Sequence, residues 1–131
     1  MAPSLLGIDH VHVYVRDRAA AAGWYRTVLG LTPQESLASW ADERGPLTLH
    51  DRDDSVHIAL FERPPQRNRA VVALRTSAEG FTQWRRHLAG FDGLAVSVAD
   101  HGLSMSLYLT DPDGNPYEIT TYEYEAAKAA G

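Results

Sequence analysis

Residues 8–15 alternate strictly, with Val11, Val13 and Val15 on one side and His10, His12 and Tyr14 on the other. A period of two predicts a half-buried strand with its valine face against a core. The pattern then lengthens. Residues 18–29 place Trp24, Tyr25, Val28 and Leu29 on one helical stripe, with Asp17 at the N-cap and Gly30 at C′. Residues 31–49 are less regular and are read as a strand over 34–40, a turn over 42–46 and a strand over 47–50. A polar turn, 51–55, leads into a second alternating run. There Val56, Ile58 and Leu60 face one way and His57, Ala59 and Phe61 the other. Residues 64–69, Pro-Pro-Gln-Arg-Asn-Arg, cannot continue a strand and read as a linker.

Beyond the linker the order recurs. Residues 70–74 predict a strand, 77–88 a helix capped by Ser77 and closed by Gly90, and 94–99 another strand. Then comes a hairpin. Its first strand ends at Leu109, Asp111-Pro112-Asp113-Gly114 forms the turn, and the second strand begins at Tyr117. Alternation places Tyr108 and Glu118 on one polar-lined face of this hairpin, with His101 at its entrance. An acid, a phenol and an imidazole converging on one face make a candidate site. The tail, 123–131, is polar and alanine-rich, a short helix or a frayed end.

The recurrence is a duplication. At an offset of 60, Asp17 meets Ser77, Trp24 meets Trp84, Val28 meets Leu88, Gly30 meets Gly90 and Asp51 meets Asp111; one position further, His57 meets Glu118. Two βαβββ modules, about 7–63 and 69–122, explain why both identities and element order repeat.

Composition narrows the chemistry. The 131 residues are most simply one domain, and a net charge of −5 without a basic cluster argues against nucleic-acid binding. Cysteine is absent, so any metal must be held by His, carboxylate or water. No apolar run approaches a membrane span, and the N-terminus lacks the basic start and apolar core of a signal peptide. A cytoplasmic protein is expected.

The run from Asp9 to Asp17, then Trp24-Tyr25-Arg26 and Leu29-Gly30-Leu31, resembles the opening strand and helix of the vicinal oxygen chelate superfamily. That superfamily includes glyoxalases, extradiol dioxygenases, fosfomycin-resistance enzymes and bleomycin-binding proteins. The stretch from His101 to Glu118 is similar to the extradiol dioxygenase signature, although Ala99 departs from it. The resemblance implies an α+β fold in which two tandem βαβββ modules form a cup-shaped curled mixed sheet with helices outside. It also implies one divalent metal ion, held by His10, His57 and Glu118. The fifth strand offers only Ala70 or Val71, where extradiol enzymes usually carry a His, so His57 would stand in from the neighbouring strand. Alternation agrees, since all three residues fall on polar-lined faces.

Two imidazoles and a carboxylate suit Fe or Mn for oxygen chemistry and Zn or Ni for lyase or isomerase chemistry. His101 and Tyr108 would be the catalytic groups, the first moving a proton or orienting oxygen, the second hydrogen-bonding a substrate oxygen. His12 is read as surrounding the metal or, alternatively, as the true ligand on its strand, Tyr14, Phe61 and Trp40 as pocket walls or dimer core, and His50 and His87 as exposed. The expected protein is a homodimeric, metal-dependent dioxygenase acting on a small-molecule substrate, aromatic compounds included. A glyoxalase-like lyase or isomerase, or a thiol-transferring resistance enzyme, is the alternative. A metal-free drug- or metabolite-binding protein is the contrasting class.

Overall fold

A computed structural model describes all 131 residues. The chain forms two compact units, Met1–Gln66 and Arg67–Gly131, and the boundary falls inside the Pro-rich stretch. The first holds β1 (Val11–Val15), α1 (Arg18–Trp24), β2 (Thr32–Pro33), β3 (Leu47–His50) and β4 (His57–Glu62). The second holds β5 (Val72–Arg75), α2 (Ala78–Ala89), β6 (Ser97–Asp100), β7 (Met105–Thr110), β8 (Pro116–Thr121) and α3 (Tyr124–Ala130).

Each unit is a four-stranded mixed sheet with the same plan, ordered β1-β4-β3-β2 in one and β5-β8-β7-β6 in the other. In both, the first strand runs parallel to the last, and the remaining pairs are antiparallel. The α+β class and the paired βαβββ modules expected from the sequence are thus present.

Alternation decides the faces. Val13, Val15, Leu49, Ile58 and Leu60 are buried together with Ala21, Tyr25 and Val28 of the helical segment. Leu107, Leu109, Tyr117 and Ile119 do the same against Phe81 and Leu88. The caps behave as read: Asp17 Oδ1 accepts from the Ala20 amide at 3.0 Å, and Ser77 Oγ accepts from the Gly80 amide at 3.0 Å. After Trp24 the helix widens into a π turn over Tyr25–Leu29 and ends at Gly30, whose φ of 72° is left-handed.

One predicted element is wrong. Residues 34–40 are not a strand: Glu35–Trp40 form a 3-10 helix. The next turn is held from outside, because the Arg18 guanidinium donates to the carbonyls of Ala41, Asp42 and Gly45. Asp42 Oδ1 receives the amides of Arg44 and Gly45, which hold its carboxyl below the usual carboxylate range. A side chain at Gly45 would overlap the Trp40 carbonyl oxygen. The second-module strands also start later than read, at Val72 and at Ser97.

The repeated aspartates have a common job. Asp51 Oδ1 accepts the amides of Ser55 and Val56 at 2.7 and 2.8 Å. Asp111 Oδ1 accepts those of Asp113 and Asn115 at 2.9 and 2.8 Å. Each closes the turn between the last two strands of its module, and Gly114, at φ 86°, completes the second turn.

Candidate functional site

In the first module the polar face is a continuous patch. His12 and Tyr14 on β1 lie opposite Ala59 and Phe61 on β4, while Thr48 and His50 on β3 lie opposite Ala59 and His57. His12 lies against Phe61 with ring centres 4.6 Å apart and planes tilted by 49°, and Tyr14 meets the same ring edge-on at 6.3 Å. His10 precedes β1. Its Nδ1 lies 2.7 Å from Asp9 Oδ2, and its Nε2 lies 2.9 Å from His12 Nε2.

A cavity of about 260 Å³ opens on this patch, lined by His10, Gln34, Leu37, Trp40, Thr48 and His57 among others. The 3-10 helix that replaces the expected strand supplies Leu37 and Trp40 to its wall. Trp40 is therefore a pocket wall here. His10 and His57, distant in sequence, line the same cavity.

His57 has a second attachment that alternation did not foretell. Its Nε2 lies 2.7 Å from Asp54 Oδ1, and His50 Nδ1 lies 2.8 Å from that same oxygen. These two hydrogen bonds hold the Asp54 carboxyl below the usual carboxylate range. His50, expected to be exposed, is half-buried, because the register seats it directly across from His57. His87 is exposed, as read. The signal for the missed pair was present: His50 and His57 bracket a short polar turn, and a hairpin pairs residues equidistant from its tip.

The second module carries its own polar group. Tyr108 and Glu118 sit directly opposite each other on β7 and β8. His101 Nε2 lies 2.9 Å from the Tyr108 hydroxyl, so the loop imidazole and the phenol are joined. Burial, and secondarily the Glu118 charge, push the Tyr108 phenol up, which keeps it protonated and able to donate.

Beneath them lies Ser106, fully buried, which donates to Glu118 Oε2 at 2.6 Å and lies 3.0 Å from the Thr120 hydroxyl. Ser106 was missed. It shares the Tyr108 face at a strand spacing of two, but nothing in sequence marks a serine as a carboxylate's anchor. On the other side of Glu118, the β5 neighbour is Ala73. The fifth-strand position beside this carboxylate is therefore Ala73, not Ala70 or Val71, both of which precede the strand. Its methyl cannot ligate.

Within the first module, the imidazole nitrogens of His10 and His57 in one cavity are donors that suit a divalent transition metal better than Mg or Ca.

Among solved structures, the chain is similar to an integron cassette protein from the Halifax Harbour sewage outfall metagenome, at 20% identity and TM-score 0.74 over 89% of this chain and 99% of that one. It is also similar to the fosfomycin resistance protein FosX of Listeria monocytogenes, solved with Mn(II) and sulfate, at 13% identity and TM-score 0.71 over 97% and 98%. A glyoxalase/dioxygenase of Nostoc punctiforme matches at 20% identity and TM-score 0.69 over 93% and 95%. These likenesses concern the fold. No curated protein sequence matches. No helix is long and apolar enough to cross a membrane. The family model described as Glyoxalase/Bleomycin resistance protein/Dioxygenase superfamily matches residues 7–119, and the chain belongs to that superfamily.

Proposed function

We propose that this protein is a metal-dependent enzyme that chelates adjacent oxygens of a small substrate, with extradiol-type ring cleavage as its chemistry. The observation that carries the reading is the pair His10 and His57 lining one cavity in the first module. Glu118, oriented by Ser106, completes the proposed ligand set. When bound, the metal would supply Lewis acidity and, if Fe or Mn, access to oxygen chemistry.

The remaining work falls to the chain. Tyr108, held protonated, donates a hydrogen bond to a substrate oxygen, and His101 Nε2 behind it accepts or returns the proton through the Tyr108 hydroxyl. Trp40 and Leu37, which line the cavity, provide apolar and aromatic surface suited to a planar ring. The protein is also proposed to work as a homodimer in the cytoplasm; Leu5, Leu6 and Ile8 stand exposed ahead of β1 as apolar surface for such an interface. Light scattering after gel filtration checks the mass.

The decisive experiment is metal analysis of protein purified without chelator, beside the Glu118→Gln and His10→Ala variants. Iron or manganese lost in both variants, with oxygen uptake on catechols, is the expected result. Zinc or nickel would replace ring cleavage by glyoxalase-like lyase or isomerase chemistry. Absence of metal from the protein, with no thermal shift on adding any, refutes the enzyme reading and leaves a metabolite- or drug-binding pocket.

A further inference from the structure

We infer that the β3–β4 hairpin is itself a binding site for a divalent transition metal, with His50, Asp54 and His57 as its protein ligands. The three residues lie in the first module alone. His50 and His57 form a directly opposed pair on neighbouring antiparallel strands, which brings their rings to 6.4 Å between centres. Asp54 projects from the connecting turn so that one oxygen meets both rings, at 2.8 and 2.7 Å. All three donor atoms lie within 4.8 Å of one another.

The backbone is arranged to keep them there. Asp51 fixes the turn by accepting two amides and the Ser55 hydroxyl, and the Asp54 amide donates to the Asp51 carbonyl at 3.1 Å. Asp54 has φ 57°, the only non-glycine residue in the left-handed region. Aspartate tolerates that region better than most residues, yet the conformation still carries a cost that the surroundings must offset. It is what turns the carboxylate back between the two imidazoles.

Two nitrogens and one carboxylate oxygen are the donor chemistry of Zn, Co, Ni and Cu rather than of Mg or Ca. Metal–ligand bonds of about 2.0–2.2 Å need only small rotations of side chains already this close. A metal would replace the hydrogens now shared with Asp54, the imidazoles taking the tautomers that present lone pairs inward. The side chains of His50, His57 and Asp54 are 29%, 22% and 60% exposed, so water reaches the remaining positions.

His57 is common to this site and to the ligand set proposed above, so a metal on the hairpin competes with that set for His57. The two ideas are separated with variants that touch one set only. Full-length Glu118→Gln protein is titrated with Co(II), followed by ligand-field absorbance and equilibrium dialysis, and with Zn(II), followed by imidazole nitrogen shifts. One equivalent is expected to bind and to move the His50 and His57 resonances while leaving His87 in place. Adding His50→Ala, or Asp54→Asn, which keeps the left-handed turn, should remove that equivalent.

Binding unchanged by His50→Ala and Asp54→Asn overturns the hairpin site. So does the absence of any binding in Glu118→Gln, even where the unaltered chain binds metal. Loss of binding in His50→Ala with full retention in Glu118→Gln and His10→Ala supports the hairpin and refutes the ligand set of the proposed function.

Discussion

Replacing Ser106 by alanine tests whether the second-module cluster is built around its hydroxyl. The side chain is fully buried, so no bulk water stands ready to replace it. Its Oγ donates to Glu118 Oε2 at 2.6 Å and lies 3.0 Å from Thr120 Oγ1, which itself bonds the Met105 carbonyl at 3.3 Å. A hydrogen bond to a charged partner contributes about 1.5–3 kcal/mol and a neutral one about 0.5–1.5 kcal/mol. Glu118 is only half-buried and can recruit water, so the charged bond counts at its lower end. Removal of one oxygen leaves almost no cavity. The expected loss of stability is about 2 kcal/mol.

For a small domain with a urea m-value of about 1–3 kcal/mol per molar, that corresponds to a midpoint lowered by roughly 1 M at unchanged m. A double-mutant cycle with Thr120→Val separates the two contacts, since Thr120→Val removes the neutral bond while keeping the Glu118 anchor. Under the proposed function, Ser106→Ala also weakens metal binding by about 10–100-fold, the usual effect of removing a ligand's supporting partner. A midpoint shift below roughly 0.2 M, with folded spectra intact, would refute the view that Ser106 anchors this carboxylate.

Two further outcomes follow from the same geometry. Asp111→Ala strips a buried carboxylate that receives the Asp113 and Asn115 amides and the Asn115 side-chain amide. It should cost about 2–4 kcal/mol by urea denaturation, well beyond the effect of an ordinary surface change. The Tyr108 phenol should ionise above 10.0 in a near-ultraviolet pH titration read against Tyr108→Phe. Glu118→Gln should bring that midpoint only part of the way back, because burial is the larger cause and the Glu118 charge the smaller. Full restoration would show that the charge dominates.

Where a side chain's role follows from period and pairing, the sequence was legible. Val13, Ile58 and Leu60 are core because they alternate, and Tyr108 faces Glu118 because the turn at residues 111–114 sets the register. The strand expected over 34–40 failed because Leu37 and Trp40, three residues apart, share one face of a 3-10 turn rather than of a strand, a signal too short to stand out in the sequence. The Arg18 clamp on the following turn comes from a helix well upstream and leaves no local mark. His50 was misjudged for a related reason: its neighbour in space is His57, and residues 51–55 looked merely solvated.

The duplication, the mixed α+β modules, the turn aspartates and the apolar faces belong to the sequence by itself, because each depends on spacing within a few residues or on a repeat of it. The tertiary structure alone decided that His57 leans on Asp54, that Ser106 holds Glu118 from below, and that the fifth strand sets Ala73 beside that carboxylate. Those facts depend on strand register and on one left-handed residue, Asp54. A hydrogen bond takes its direction from both partners at once, whereas a hydrophobic face is marked along its own chain.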